Sequence, residues 1–132
     1  MKVEGTPNGE PVAVRSRGGD PVGASANVAA GAMTLTLASQ ANRRTKIKGI
    51  VIDGLGATGA SVIEVTVTGL IGGTMRFKVT VPAGATTAIA RAVVTFGDGA
   101  PASADGTDIV VSVPSFGAGN TSATGYAWGC ID

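Results

Sequence analysis

The chain has 132 residues, with ten lysines and arginines against nine aspartates and glutamates, no histidine, one cysteine and 21 glycines, which bounds it to one domain with a modest core. A net charge of +1 leaves no excess of cations to neutralise phosphates, so nucleic acid is not an expected partner; Cys130 alone forms no intrachain disulfide, and without histidine the usual zinc ligand sets cannot be assembled. No apolar run approaches the roughly 18–20 residues that cross a bilayer, and no basic-then-apolar leader opens the chain, so we expect cytoplasmic synthesis without processing and no membrane partner. Valine, isoleucine and threonine recur while good helix formers are scarce, which predicts an all-β fold. Mean hydropathy is positive, which suggests that part of the surface is buried against other chains.

Residues 1–23 lack apolar periodicity, carry the breakers Pro7, Gly9, Pro11 and Pro21, and scatter charges from Lys2 to Asp20. The stretch reads as an extended arm. A frayed terminus is the plainer reading. Val12 and Val14 in alternation, followed by Arg15 and Arg17, suit an arm that lies on a neighbouring subunit. Residues 24–132 form the expected folded body. Within it, Met33, Leu35 and Leu37 alternate with threonines as a half-exposed strand. Arg43, Arg44, Lys46 and Lys48 then lead into Ile50-Val51-Ile52, which is apolar on both faces and belongs in a central or covered strand. The basic cluster is either a solvated strand entrance or a contact for an acidic protein surface, where charge sets orientation and on-rate more than affinity. Gly54, Gly56 and Gly59 match the spacing of a dinucleotide fingerprint, but that motif must open a helix. Here Ser61 opens an alternating strand, so the glycines are expected to join two strands.

The clearest signal lies in residues 61–82. Ile63, Val65 and Val67 alternate with Glu64, Thr66 and Thr68, and Met75, Phe77, Val79 and Val81 alternate with Thr74, Arg76, Lys78 and Thr80. This is a β-hairpin with one face in a core, reversed at Gly72-Gly73 and ended by Pro82. A turn over residues 83–86 precedes an irregular strand over 87–96, and residues 97–106 read as a long polar loop. Asp98, Asp105 and Asp108 raise a calcium site, although Asp beside Gly is ordinary turn chemistry and the spacing fits no EF-hand. Ile109, Val111 and Val113 mark a further strand. In the last one Thr124, Tyr126, Trp128 and Cys130 alternate with Ala123, Gly125, Ala127 and Gly129, so the larger side chains form a core or interface stripe. With no histidine, and with Glu64 alone on its strand, no acid–base pair is placed by pattern, and neither an enzyme nor a cofactor is expected.

About eight strands with Gly, Pro and Asp turns between them predict an antiparallel β-sandwich or jelly roll, with the extended arm in front of it. The run Ile50-Val51-Ile52-Asp53-Gly54-Leu55-Gly56-Ala57-Thr58-Gly59, the segment Val65-Thr66-Val67-Thr68-Gly69-Leu70-Ile71-Gly72-Gly73-Thr74, the Val81-Pro82-Ala83-Gly84 turn and the stretch Val111-Ser112-Val113-Pro114-Ser115-Phe116-Gly117-Ala118-Gly119-Asn120-Thr121 carry a resemblance. They resemble a group of small β-sandwich virion proteins of tailed bacteriophages and prophages. The resemblance covers residues 27–127 and its motifs are strand and turn residues. It implies a capsid decoration or cement protein, typically a homotrimer seated on the capsid surface over contacts between major capsid protein subunits. On that basis Arg43, Arg44 and the arm with Val12, Val14, Arg15 and Arg17 are expected to face the capsid, and Tyr126 and Trp128 to anchor the sandwich or a trimer axis. The alternative is a tail-associated or head–tail module whose loops touch a host glycan or protein.

Overall fold

The computed structural model describes residues 19–86 and 89–132, with residues 89–91 described by their backbone. Eight strands follow in order: β1 (Asp20–Val28), β2 (Met33–Leu37), β3 (Thr45–Leu55), β4 (Ser61–Thr68), β5 (Met75–Val81), β6 (Ile89–Pro101), β7 (Ile109–Val113) and β8 (Ser122–Ile131). They form two four-stranded sheets, β1-β8-β3-β6 and β2-β7-β4-β5. Every pairing is antiparallel. β1 pairs with β8, β2 with β7, β3 with β6 and β4 with β5. The chain is thus one long hairpin rolled into two layers, the jelly-roll arrangement expected from the strand pattern. Its tip is the β4–β5 turn.

Period-two alternation explains the layers. β2 buries Met33, Leu35 and Leu37, β4 buries Ile63, Val65 and Val67, and β7 buries Ile109, Val111 and Val113, while the residues between them stay half-buried or exposed. Facing them across the sandwich are Ile47, Ile50 and Ile52 of β3 and the small Ala123 and Ala127 of β8. One continuous core results.

Two boundaries differ from the sequence reading. β1 begins at Asp20, inside the stretch 1–23 assigned to the arm, because its backbone is recruited by β8 from Asp20↔Ile131 to Val28↔Ala123. The remainder of that stretch, with Val12, Val14, Arg15 and Arg17, lies outside the described residues. Residues 97–101, expected in a loop, belong to β6. The register passes from Gly49↔Thr95 to Ile47↔Ala100, so residues 96–99 bulge opposite Lys48, with Gly97 (φ 62°) and Gly99 (φ 115°) taking backbone angles that side chains resist. The glycine and aspartate signal there marks a bulge within a strand. Residues 54–59 leave β3 and enter β4 with no helix between them, which removes the setting a dinucleotide fingerprint requires.

Candidate interaction surfaces

The basic cluster enters through Asn42, whose left-handed backbone (φ 63°) turns the chain into β3. Arg43 then reaches back over the sheet edge. Its Nη1 donates to Asp20 Oδ2 at 2.7 Å and to Gln40 Oε1 at 2.8 Å, its Nη2 to the Ile131 carbonyl at 2.8 Å and its Nε to the Asp132 carbonyl at 3.4 Å. This guanidinium ties the start of β1 to the end of β8. Arg44 pairs with Asp105 at 3.3 Å and Lys46 with Asp132 at 2.7 Å. The Asp132 carboxylate beside Lys46 raises the ammonium pKa. Lys48 is the member of the cluster with no ion-pair partner among the described residues.

β8 turns its small residues inward. Ala123, Gly125, Ala127 and Gly129 face the second sheet, and Tyr126 and Trp128 point outward. The core alternative for this stripe is therefore replaced by an outer-face position. The reason is space: a Cβ at Gly125 would sit 3.1 Å from Leu35 Cδ1 and 3.4 Å from Met33 Cε, so the long side chains of β2 already fill the layer. Outside, Tyr126 is 46 % exposed and stacks on Trp128, with ring centroids 5.7 Å apart and planes 15° apart. The indole lies over Gly49, where a Cβ would meet its Cζ2 at 2.1 Å. Cross-strand register sets Ser25, Tyr126, Val51 and Val93 in one row and Gly23, Trp128, Gly49 and Thr95 in the next. Val93, which sequence reading did not single out, is 61 % exposed.

A second apolar feature lies at the tip of the rolled hairpin. Gly73 N donates to the Leu70 carbonyl at 3.0 Å to close the turn, and Ile71 N donates to the Pro101 carbonyl at 3.1 Å, tying the tip to the end of β6. Between them opens a hollow of about 260 Å³ lined by Leu70, Ile71, Met75, Phe96, Ala100 and Pro101. Ile71 stands 63 % exposed at its mouth.

Three further carboxylates are separately engaged. Asp105 pairs with Arg44, Asp108 Oδ1 accepts the Ser39 amide at 2.8 Å, and Glu64 lies between Arg76 and Lys78 at 3.7 and 4.0 Å. Hydrogen bonds from Ser39 hold the Asp108 carboxyl below the usual carboxylate range. Among the described residues no group of three or more His, Cys, Asp and Glu side chains is placed to hold a metal ion, and no helix is long and apolar enough to cross a membrane. Cys130 is buried, and desolvation followed by the Asp132 charge pushes its thiol pKa up. The chain matches no family model, no curated protein and no solved structure.

Proposed function

We propose that this chain is a non-enzymatic virion structural protein of a tailed bacteriophage, a capsid decoration or cement protein. In this reading it binds and stabilises the lattice of the major capsid protein, on the capsid surface and in association with copies of itself. The observation that carries the reading is the rolled-hairpin tip. The segment Val65-Thr66-Val67-Thr68-Gly69-Leu70-Ile71-Gly72-Gly73-Thr74, which bears much of the resemblance, ends where the apolar hollow opens beneath Ile71. At about 260 Å³ the hollow is smaller than the roughly 300–1,000 Å³ usual for small-molecule sites, and it suits one or two aliphatic side chains of a protein partner. One such contact is weak, but repetition over a lattice makes weak contacts sufficient.

The test is the number of copies of this chain per purified virion relative to the major capsid protein, by quantitative mass spectrometry. A fixed ratio to the capsid lattice is the expected result. A handful of copies would overturn it and favour the tail-associated reading, for which the specific observation is the stacked and partly exposed Tyr126–Trp128 pair. Such a platform suits the apolar face of a sugar ring.

A further inference from the structure

We infer that the outer face of the sheet β1-β8-β3-β6 is a pairing surface on which two copies of this chain associate back to back about a two-fold axis. The inference gives a surface to the self-association in the reading above. Its test uses purified protein alone, so the two stand or fall separately.

The face has the composition of an interface centre. Tyr126 and Val93 are two of the four large hydrophobic side chains exposed among the described residues, and they flank Val51 in a single cross-strand row. Aromatic residues are enriched at such centres and charged ones depleted. Gly23 and Gly49 are the two cross-strand neighbours of Trp128, and the stacked Tyr126 and Trp128 rings reach over them. Sheets pack face to face at roughly 10 Å, with their strands rotated by about 30° through their twist.

Charge selects the occupant. Along β3, Lys48 stands on one flank of the apolar row and Asp53 on the other, and neither has an ion-pair partner among the described residues. A two-fold axis lying in the face along the Val51 row brings Tyr126 onto Tyr126, Val51 onto Val51 and Val93 onto Val93. The same rotation reverses β3 against its counterpart, so the Lys48 end of each copy covers the Asp53 end of the other. A surface that is apolar along its middle and opposite in sign at its two ends is complementary to itself under that operation, as an isologous interface must be. A second copy meets all of these conditions at once.

Sedimentation velocity on the purified full chain, run as a concentration series, tests the inference. The wild-type protein is expected to sediment with the mass of two chains. Val93→Glu is expected to raise the dimer dissociation constant by at least about tenfold. Val62→Glu, equally exposed at 61 % but on the outer face of the other sheet, should leave the mass unchanged and controls for folding. Lys48→Glu and Asp53→Lys each weaken pairing, and the double variant restores it, because the end charges are exchanged together. A monomer at high micromolar concentration, a trimer, or a Val93→Glu protein that still pairs would overturn the inference. Failure of the double reversal would overturn the antiparallel register.

Discussion

Asp108 shows how a single residue of this fold carries a pH signature. Its carboxylate stands where the chain enters β7 and receives the Ser39 amide and hydroxyl from the loop after β2. Both bonds favour the charged form, so the folded-state pKa lies below that of the unfolded chain. A group shifted in this direction contributes stability that is present above the unfolded pKa and is lost as pH falls through the folded one. Unfolding midpoints should therefore decline on the acid side, below about pH 4. Asp108→Asn, which keeps an oxygen for the Ser39 amide, should make that decline shallower while leaving the neutral-pH midpoint little changed. Urea titrations of both proteins across the acid range measure the difference. The thiol of Cys130 is the counterpart in which burial favours the neutral form.

At the scale of an element, β8 is built from its smallest residues. A Cβ at Gly129 would approach the Lys46 carbonyl to 1.9 Å, a contact with backbone that rotamer changes cannot relieve. Gly129→Ala is expected to cost about 3 kcal/mol, at the upper end for overpacking. Gly72→Ala, whose Cβ would meet nothing within 4 Å, should stay within about 0.5 kcal/mol of wild type. Equilibrium denaturation of the two variants gives the comparison. The same strand shows where sequence reading succeeds and where it stops. Alternation placed β2, β4, β5 and β7 well because their inward residues are apolar and their outward ones, Val62 and Val110 apart, are polar. For β8 the alternation was visible but its sense was not. Size left Tyr126 and Trp128 open to core or interface, and the side chains of Met33 and Leu35 on the facing sheet crowd the inward position of Gly125, which sets the pair outside. β1 carried too little signal of its own, since Asp20 to Gly23 read as arm and the small Ala24, Ser25 and Ala26 after them gave no strand pattern, and its pairing comes from β8. The hollow and the outer face were illegible for a further reason. Phe96 meets Leu70, and Val93 meets Val51 and Tyr126, only through pairings between strands distant in sequence.

The described residues form a hairpin rolled from its tip, so most of their contacts join distant parts of the chain. Such topologies pay loop-closure entropy before they gain contacts and fold slowly for their size. Rolling also brings Asp20 opposite Ile131 at one corner, where Arg43 bonds to both. Arg43→Ala removes a charge-assisted pair and two carbonyl contacts, and it should cost about 2 kcal/mol in chemical denaturation, because bonds to charged groups are each worth about 1.5–3 kcal/mol and this one is partly exposed. Arg43→Lys should recover little of it, since an ammonium has no fork to span two acceptors.

That corner has a mechanical consequence. A load applied between the start of β1 and the end of β8 pulls two antiparallel neighbours apart from the same end, so it peels their ladder one hydrogen bond at a time instead of shearing all of them together. Peeling needs little force at any instant, and the first link to meet the load is the Arg43 clasp.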